Sequence, residues 1–236
     1  MTFPVLYLVL KTDHPVRESG AQLRGCIAGN YPDRPILHHH TPALIYSYPK
    51  VQYRVIEGTP SILGIDEGAE ALRSVIGDIS QLTLGQSRYR VEQKVTYELE
   101  GSLYPVRDIR SYRFTSPWIA LNAKNYEEYQ SAGGWRERKA LLNRILVGNI
   151  LSMAKGLDIV ISRDIRVRTH LDPVSVTYKG IVMTGFMGEF QTNMAIPEFF
   201  ALGKGVSQGF GTVIPDRSAP NSASQGGSRG TSGHMG

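Results

Sequence analysis

Apolar and polar positions change period several times along the chain, and each change marks an element. FPVLYLVL, residues 3–10, is an almost unbroken apolar run of strand length. In PVRESGAQLRGCIAG, Val16, Leu23 and Ile27 recur at helical spacing; Pro15 supplies a start and Gly29 a stop. VQYRVIEG alternates, placing Val51, Tyr53 and Val55 on one face, and Gly58, Thr59 and Pro60 turn the chain into SILGI. DEGAEALRSVIGD opens a helix with the acids that its dipole favours at an N-terminus, and YRVEQKVTYELE returns as a strand. The order βαββαβ over residues 1–100 predicts a ferredoxin-like domain.

Residues 101–215 repeat the plan in longer pieces. SLYPVRDIRSYRFTSP reads as a strand, AKNYEEYQ as a short helix, and WRERKALLNRILVGNILSMAKG as an amphipathic helix that buries Leu142, Leu146, Ile150 and Met153 and ends at Gly156. LDIVISRDIRVRTHLDPVSVTYKGIVMTGFMGEFQ predicts several strands joined by Asp-Pro and Lys-Gly turns, and TVIP a last one. The fold class expected is therefore α+β, two tandem ferredoxin-like domains, with boundaries at 1–100 and 101–215. Residues 216–236 are rich in Ser and Gly without apolar pattern and are expected to be a disordered or vector-derived tail.

Composition narrows the function classes. Hydrophobic content of 41% and charged content of 20% are those of an ordinary globular protein, and no apolar run approaches a membrane span. The start lacks a basic leader and a small-residue cleavage site, which predicts a cytoplasmic protein without a membrane partner. The single cysteine, Cys26, excludes an internal disulfide framework or a thiolate-rich metal site. Charge divides unevenly: residues 1–100 carry 10 Lys and Arg against 11 Asp and Glu, residues 101–215 carry 14 against 9. A basic second half suits a polyanionic partner, or merely a solvated surface.

Two segments carry candidate chemistry. Gly203, Lys204, Gly205, Gly209 and Gly211 crowd into GKGVSQGFGTV. A dinucleotide fingerprint would precede a helix in an early βαβ unit, and a Walker loop needs Gly-Lys-Ser/Thr; neither fits. A structural turn or a site where backbone amides meet a polyanion remains. The second segment is the run His38, His39, His40 in ILHHHTPALIYSYPK. It admits three readings: solvated decoration, a metal site, or a proton-transfer pair. Metal is disfavoured, since adjacent histidines on opposite faces seldom supply three ligands and no HExxH or cysteine pair helps.

The glycine-rich segment near the C-terminus, following two ferredoxin-like halves and preceded by HHH and YPKVQYRVIEGTPSILGIDEGAE, resembles the RAMP superfamily of CRISPR-associated proteins. Within it the chain is similar to the repeat-processing endoribonucleases, the Cas-six family, b-type subgroup. The resemblance implies a RAMP-type fold and metal-independent cutting of precursor CRISPR RNA within its repeats. In that reaction a 2′-hydroxyl attacks the adjacent phosphate and leaves a 2′,3′-cyclic phosphate and a 5′-hydroxyl. No metal and no cofactor are implied. The partner implied is CRISPR repeat RNA, with subunits of a CRISPR effector complex and a second copy of the chain left open.

The chemistry requires one group to take the 2′-hydroxyl proton and another to protonate the leaving 5′-oxygen, and imidazole does either near neutrality. In an extended chain i and i+2 share a face about 6.6 Å apart. Geometry and resemblance thus point to His38 and His40 as catalytic, with Lys50 nearby to neutralise the phosphate. For binding, Arg166 and Arg168 stand at strand spacing with His170, as a phosphate track or as charges that guard an edge strand. Arg136 and Lys139 sit in a helical first turn, where the dipole disfavours cations unless an anion lies across them. The rival readings are a noncatalytic RAMP subunit that holds guide RNA and a metal-dependent nuclease.

Overall fold

The computed structural model describes residues 2–38 and 48–217. His39, His40 and the tail from residue 218 lie outside the described residues. The first half runs β1 (Phe3–Thr12), α1 (Gly20–Asn30), α2 (Pro35–His38), β2 (Val51–Ile56), β3 (Thr59–Ile65), α3 (Glu67–Arg73), β4 (Gln81–Leu84) and β5 (Ser87–Gly101). Its sheet has the order β2-β3-β1-β5-β4, antiparallel throughout. Without the short β4, this is the ferredoxin-like arrangement, with the first strand central between the third and the fourth.

β1 is apolar at nearly every position because both of its faces are covered. Leu6, Leu8 and Leu10 pack with Leu23 and Ile27 of α1 and Leu72 of α3 in a core confined to this half. Val5 and Tyr7 point the other way, into a second core built largely from residues beyond 102, including Phe114, Trp118, Leu146 and Phe190. The two halves therefore share one apolar core across the sheet of the first.

The second half runs β6 (Tyr104–Phe114), α4 (Ala123–Ser131), α5 (Trp135–Gly156), β7 (Val167–Tyr178), β8 (Ile181–Ala195) and β9 (Val213–Pro215), with sheet order β7-β8-β6-β9. The strand order is again ferredoxin-like. Leu142, Leu146, Ile150 and Met153 of α5 are all buried, as their spacing predicts. Between β8 and β9, where a second long helix would complete the repeat, residues 196–212 cross as an irregular segment with one 3-10 turn, Val206–Gln208. Gly203, Gly205, Gly209 and Gly211 have φ between 69° and 89°. No right-handed helix can run through such positions.

Three local expectations are corrected. α1 begins at Gly20 and not Pro15, because Ser19 and Gln22 form a capping box that starts the helix five residues later. The Asp172-Pro173 pair is no turn: Pro173 sits within β7 opposite Phe186, tolerated because β7 is an edge strand. Residues 157–166 form no strand, and Val160 is 91% exposed. The Lys179-Gly180 turn between β7 and β8 is as expected.

Arg54 of β2 ties the halves where they meet. It is buried, gives one Nη proton to the Phe199 carbonyl at 2.5 Å and another to Gln52 Oε1 at 3.1 Å. Burial lowers its pKa to about 10, against the phenols of Tyr7 and Tyr48, so it stays cationic at neutral pH.

The glycines yield a stability test. A Cβ on Gly211 would strike the Leu202 carbonyl at a φ of +69°, whereas one on Gly25, within α1, would meet nothing within 4 Å. Gly211→Ala should lose about 2 kcal/mol or more, lowering Tm by about 4–8 °C, while Gly25→Ala should gain about 0.5–1 kcal/mol through helix propensity. Thermal unfolding of both variants checks the pair.

Candidate functional site

A cleft of about 540 Å³ lies between the halves, with Arg24, Tyr48, Asn149, Tyr178, Gly203, Gly205 and Ser207 in its walls. Five stretches of chain converge there. Arg24 comes from the partly exposed side of α1, Asn149 from the C-terminal half of α5, Tyr178 from the end of β7, and the rest from the irregular segment before β9 and the chain that enters β2.

Arg24 links the two segments singled out in the sequence. One Nη donates to the His38 carbonyl, and the other donates to Ser207 Oγ at 3.3 Å. Partial burial lowers its pKa, opposed by the phenols of Tyr53 and Tyr178, and a guanidinium so placed remains charged at neutral pH. The histidine run and the glycine-rich segment are thus joined by one cation spanning the cleft wall.

His38 closes the short helix α2, which Pro35 starts in the way proline favours a first helical position. The extended-chain spacing expected of His38 and His40 consequently does not hold at His38. Its imidazole is half-buried, with Nε2 3.2 Å from the Tyr31 carbonyl. A carbonyl only accepts, so Nε2 carries the proton and Nδ1 is the nitrogen left to exchange one. Tyr53 steadies the same turn by donating to the Leu37 carbonyl at 3.2 Å. Burial and Asp78 raise the pKa of Tyr31, with Arg34 opposing, and burial raises that of Tyr53 much further; both phenols are neutral at physiological pH.

On the far side of residues 39–47, Tyr48 is buried and its hydroxyl donates to the Ala201 carbonyl at 2.8 Å while accepting from the Ala201 amide at 3.2 Å. Desolvation pushes its pKa up to about 12. Of the described residues on either side of His39 and His40, Tyr48 lines this cleft, and His38 is tied to it through its carbonyl, which Arg24 holds. Lys50 is not brought to its walls: the ammonium pairs with Asp66 Oδ2 at 3.2 Å, at the start of α3.

The glycine-rich segment divides in two. Gly203 and Gly205 line the cleft, with Lys204 exposed between them and its Nζ 5.3 Å from the centre of the Tyr178 ring. Lys179 faces the same ring at 5.7 Å. Gly209 and Gly211 are buried: a Cβ on Gly209 would meet the Tyr53 carbonyl at 2.7 Å, and Gly211 abuts Leu202. Their conformations and contacts already require glycine.

Of the predicted binding residues, Arg166, Arg168 and His170 are exposed along one side of β7 and the residue before it, alternating with Thr169, which is buried and bonded to Asn143. Lys139 of α5 reaches His170, Nζ to Nε2 at 3.4 Å, and Arg136 lies over the Trp135 ring at 5.6 Å. A basic strip thus joins the start of α5 to the edge of the second sheet. Arg24, Lys179, Tyr178 and Ser207 were not identified from sequence. Only Lys179 had a local signal, its Lys-Gly turn; Arg24 and Ser207 meet across 183 positions of chain.

Among the described residues no group of three or more His, Cys, Asp or Glu side chains is placed to hold a metal ion. No described helix is long and apolar enough to cross a membrane.

Comparison with known proteins places this geometry in a family. The family model of the Cas6b N-terminal domain matches residues 1–100, and that of the Cas6b C-terminal domain matches residues 105–215. An uncharacterized protein of Methanocaldococcus jannaschii is 42% identical over 144 residues, 59% of this chain and 95% of that protein. A crystal structure of Cas6b superposes with a TM-score of 0.84 at 34% identity, over 92% of this chain and 100% of that one. A crystal structure of the CRISPR RNA processing endoribonuclease Cas6b gives 0.74 at 32% identity over the same shares. The arrangement of a histidine turn and a glycine-rich segment across an interdomain cleft is carried by a chain that belongs to the Cas6b family.

Proposed function

We propose that this protein is an endoribonuclease that cuts precursor CRISPR RNA within its repeats, without a metal ion, by attack of a 2′-hydroxyl on the neighbouring phosphate. Family membership and the solved Cas6b endoribonuclease at 32% identity support the substrate and the reaction class. The observation that carries the site assignment is Arg24, which holds the His38 carbonyl and Ser207 from one guanidinium.

In this reading the scissile phosphate enters the cleft. His38 exchanges a proton through Nδ1, since Nε2 is committed to Tyr31, and His40 supplies the second proton transfer. One takes the proton of the 2′-hydroxyl as its oxygen bonds to phosphorus. The other gives a proton to the 5′-oxygen as its bond to phosphorus breaks, leaving a 2′,3′-cyclic phosphate and a 5′-hydroxyl. The Arg24 charge stabilises the phosphorane, whose negative charge exceeds that of the diester. Lys50, neutralised by Asp66, has no direct part.

RNA reaches the cleft along two cationic stretches. Lys204, beside Gly203 and Gly205, neutralises phosphates at the cleft mouth, and Arg166, Arg168, Lys139 and Arg136 hold the strand farther out. Gly209 and Gly211 act indirectly, by fixing the course of the segment that bears them.

His38→Ala and His40→Ala should each slow single-turnover cleavage of repeat RNA by about a hundred- to ten-thousand-fold with RNA affinity unchanged. Arg24→Ala should cost about a hundred- to a thousand-fold in the same assay, and Arg24→Lys should recover only part, since a single ammonium cannot span both acceptors. Full activity in the histidine variants would overturn the assignment. With an unstructured substrate, excess EDTA should leave the wild-type rate unchanged; loss that one divalent ion alone restores would contradict the metal-free mechanism.

A further inference from the structure

The two tryptophans of the chain are used in opposite ways. Trp118 is fully buried, stacks on Phe114 and gives its Nε1 proton to Asn149. Trp135, the first residue of α5, is 69% exposed, and the preceding Gly134 would leave a Cβ with nothing within 4 Å. Its large aromatic face stands in water and takes no part in the core.

Its neighbours are basic and planar. Trp135 borders a cleft of about 490 Å³ whose walls include Tyr129, Arg138, Lys139 and His170. Arg136 lies over the Trp135 ring and Arg138 over the Tyr129 ring, 5.6 and 5.1 Å from their centres. Lys139 and His170 meet at 3.4 Å. In that contact the Lys139 ammonium can only donate, which places a cation on the cleft wall beside an imidazole. Of the acids in the vicinity, Glu137 caps the Gly133 amide at 2.8 Å and Glu128 pairs with Arg144 at 2.6 Å, while Glu189 stands opposite His170 across the β7–β8 pair and the exposed Asp172 lies two positions along β7.

We propose that this second cleft binds one unpaired nucleotide of the RNA, its base stacked on Trp135 and its phosphate between Lys139 and His170. Aromatic faces flanked by cations are the general means of holding single-stranded nucleic acid. The inference rests on the RNA-processing function proposed above and adds a subsite to it. Lys139 and Asn149 line the two clefts from the same helix, about 15 Å apart along its axis at 1.5 Å per residue, so the subsite anchors the strand away from the scissile phosphate. Its loss should therefore weaken binding and spare the chemical step.

The test uses the full chain and repeat RNA with 2′-O-methyl riboses, which cannot cyclise. Binding should quench the fluorescence of the exposed tryptophan in the wild type and not in Trp135→Phe, which keeps most of the affinity. Trp135→Ala should weaken binding by about five- to a hundredfold, and an abasic nucleotide at one position of the repeat should weaken wild-type binding similarly but add nothing in Trp135→Ala. Cleavage of unmodified repeat RNA by Trp135→Ala at saturating protein should keep the wild-type rate. Tight binding with no quenching and no loss in Trp135→Ala would overturn the subsite alone. An effect of that variant on self-association and not on RNA affinity would make the cleft a protein interface and overturn it equally. Failure of the wild type to bind repeat RNA at all would overturn the proposed function and the subsite with it.

Discussion

The structure depends on a seam where three stretches of backbone come too close for side chains. A Cβ on Gly20, at the start of α1, would meet the Gln208 carbonyl at 2.5 Å and the Tyr53 carbonyl at 2.6 Å, and one on Gly209 would meet the same Tyr53 carbonyl at 2.7 Å. Helix α1, the edge of the first sheet and the glycine-rich segment thus meet at β2. Arg54 reaches across the seam to the Phe199 carbonyl, and Tyr7 stacks on Phe199 with ring centres 4.5 Å apart. An apolar core common to both halves lies beneath. The halves are held in one relation by backbone contact, a buried cation and shared burial together.

The cleft follows from that constraint. The second half has no long helix between β8 and β9; its place is taken by a segment of left-handed glycines that can turn sharply enough to meet α1 and present Ser207 to Arg24. Arg24 in turn grips the end of α2, where the histidine run begins. Tyr48 fixes the return of the chain to Ala201. The histidine-bearing stretch is thus bounded by two anchors that each involve the other half, so the proposed chemistry requires both halves in register. The basic strip of α5 and β7 extends outward from the same wall.

Much of this was legible in the sequence where the signal was local. Periodicity marked β1, β2, β3 and the buried face of α5 because burial there depends on neighbours along one element. Composition identified the glycines, though not that Gly209 and Gly211 serve the protein's own backbone, which depends on residues far away in the chain. Pro15 masked the Ser19 cap, and Asp172-Pro173 imitated a turn because an edge strand leaves proline unpunished. The pairing of Lys50, expected to neutralise the phosphate, with Asp66 is invisible in the sequence because Asp66 is brought near only by the β2–β3 pairing and the start of α3. Arg24 gave no warning at all: its importance arises from two acceptors, one 14 and the other 183 positions distant.

The chemistry proposed for the cleft turns on the identity of the nucleophile, which the ends of the products report. Repeat RNA cut by the purified protein in excess EDTA can be analysed by mass spectrometry and by 5′-end labelling with and without prior phosphatase treatment. Attack by the 2′-hydroxyl predicts a 2′,3′-cyclic phosphate on the upstream fragment and a 5′-hydroxyl on the downstream one. A 3′-hydroxyl with a 5′-phosphate would mean that water is the nucleophile, and would contradict the account given for this cleft.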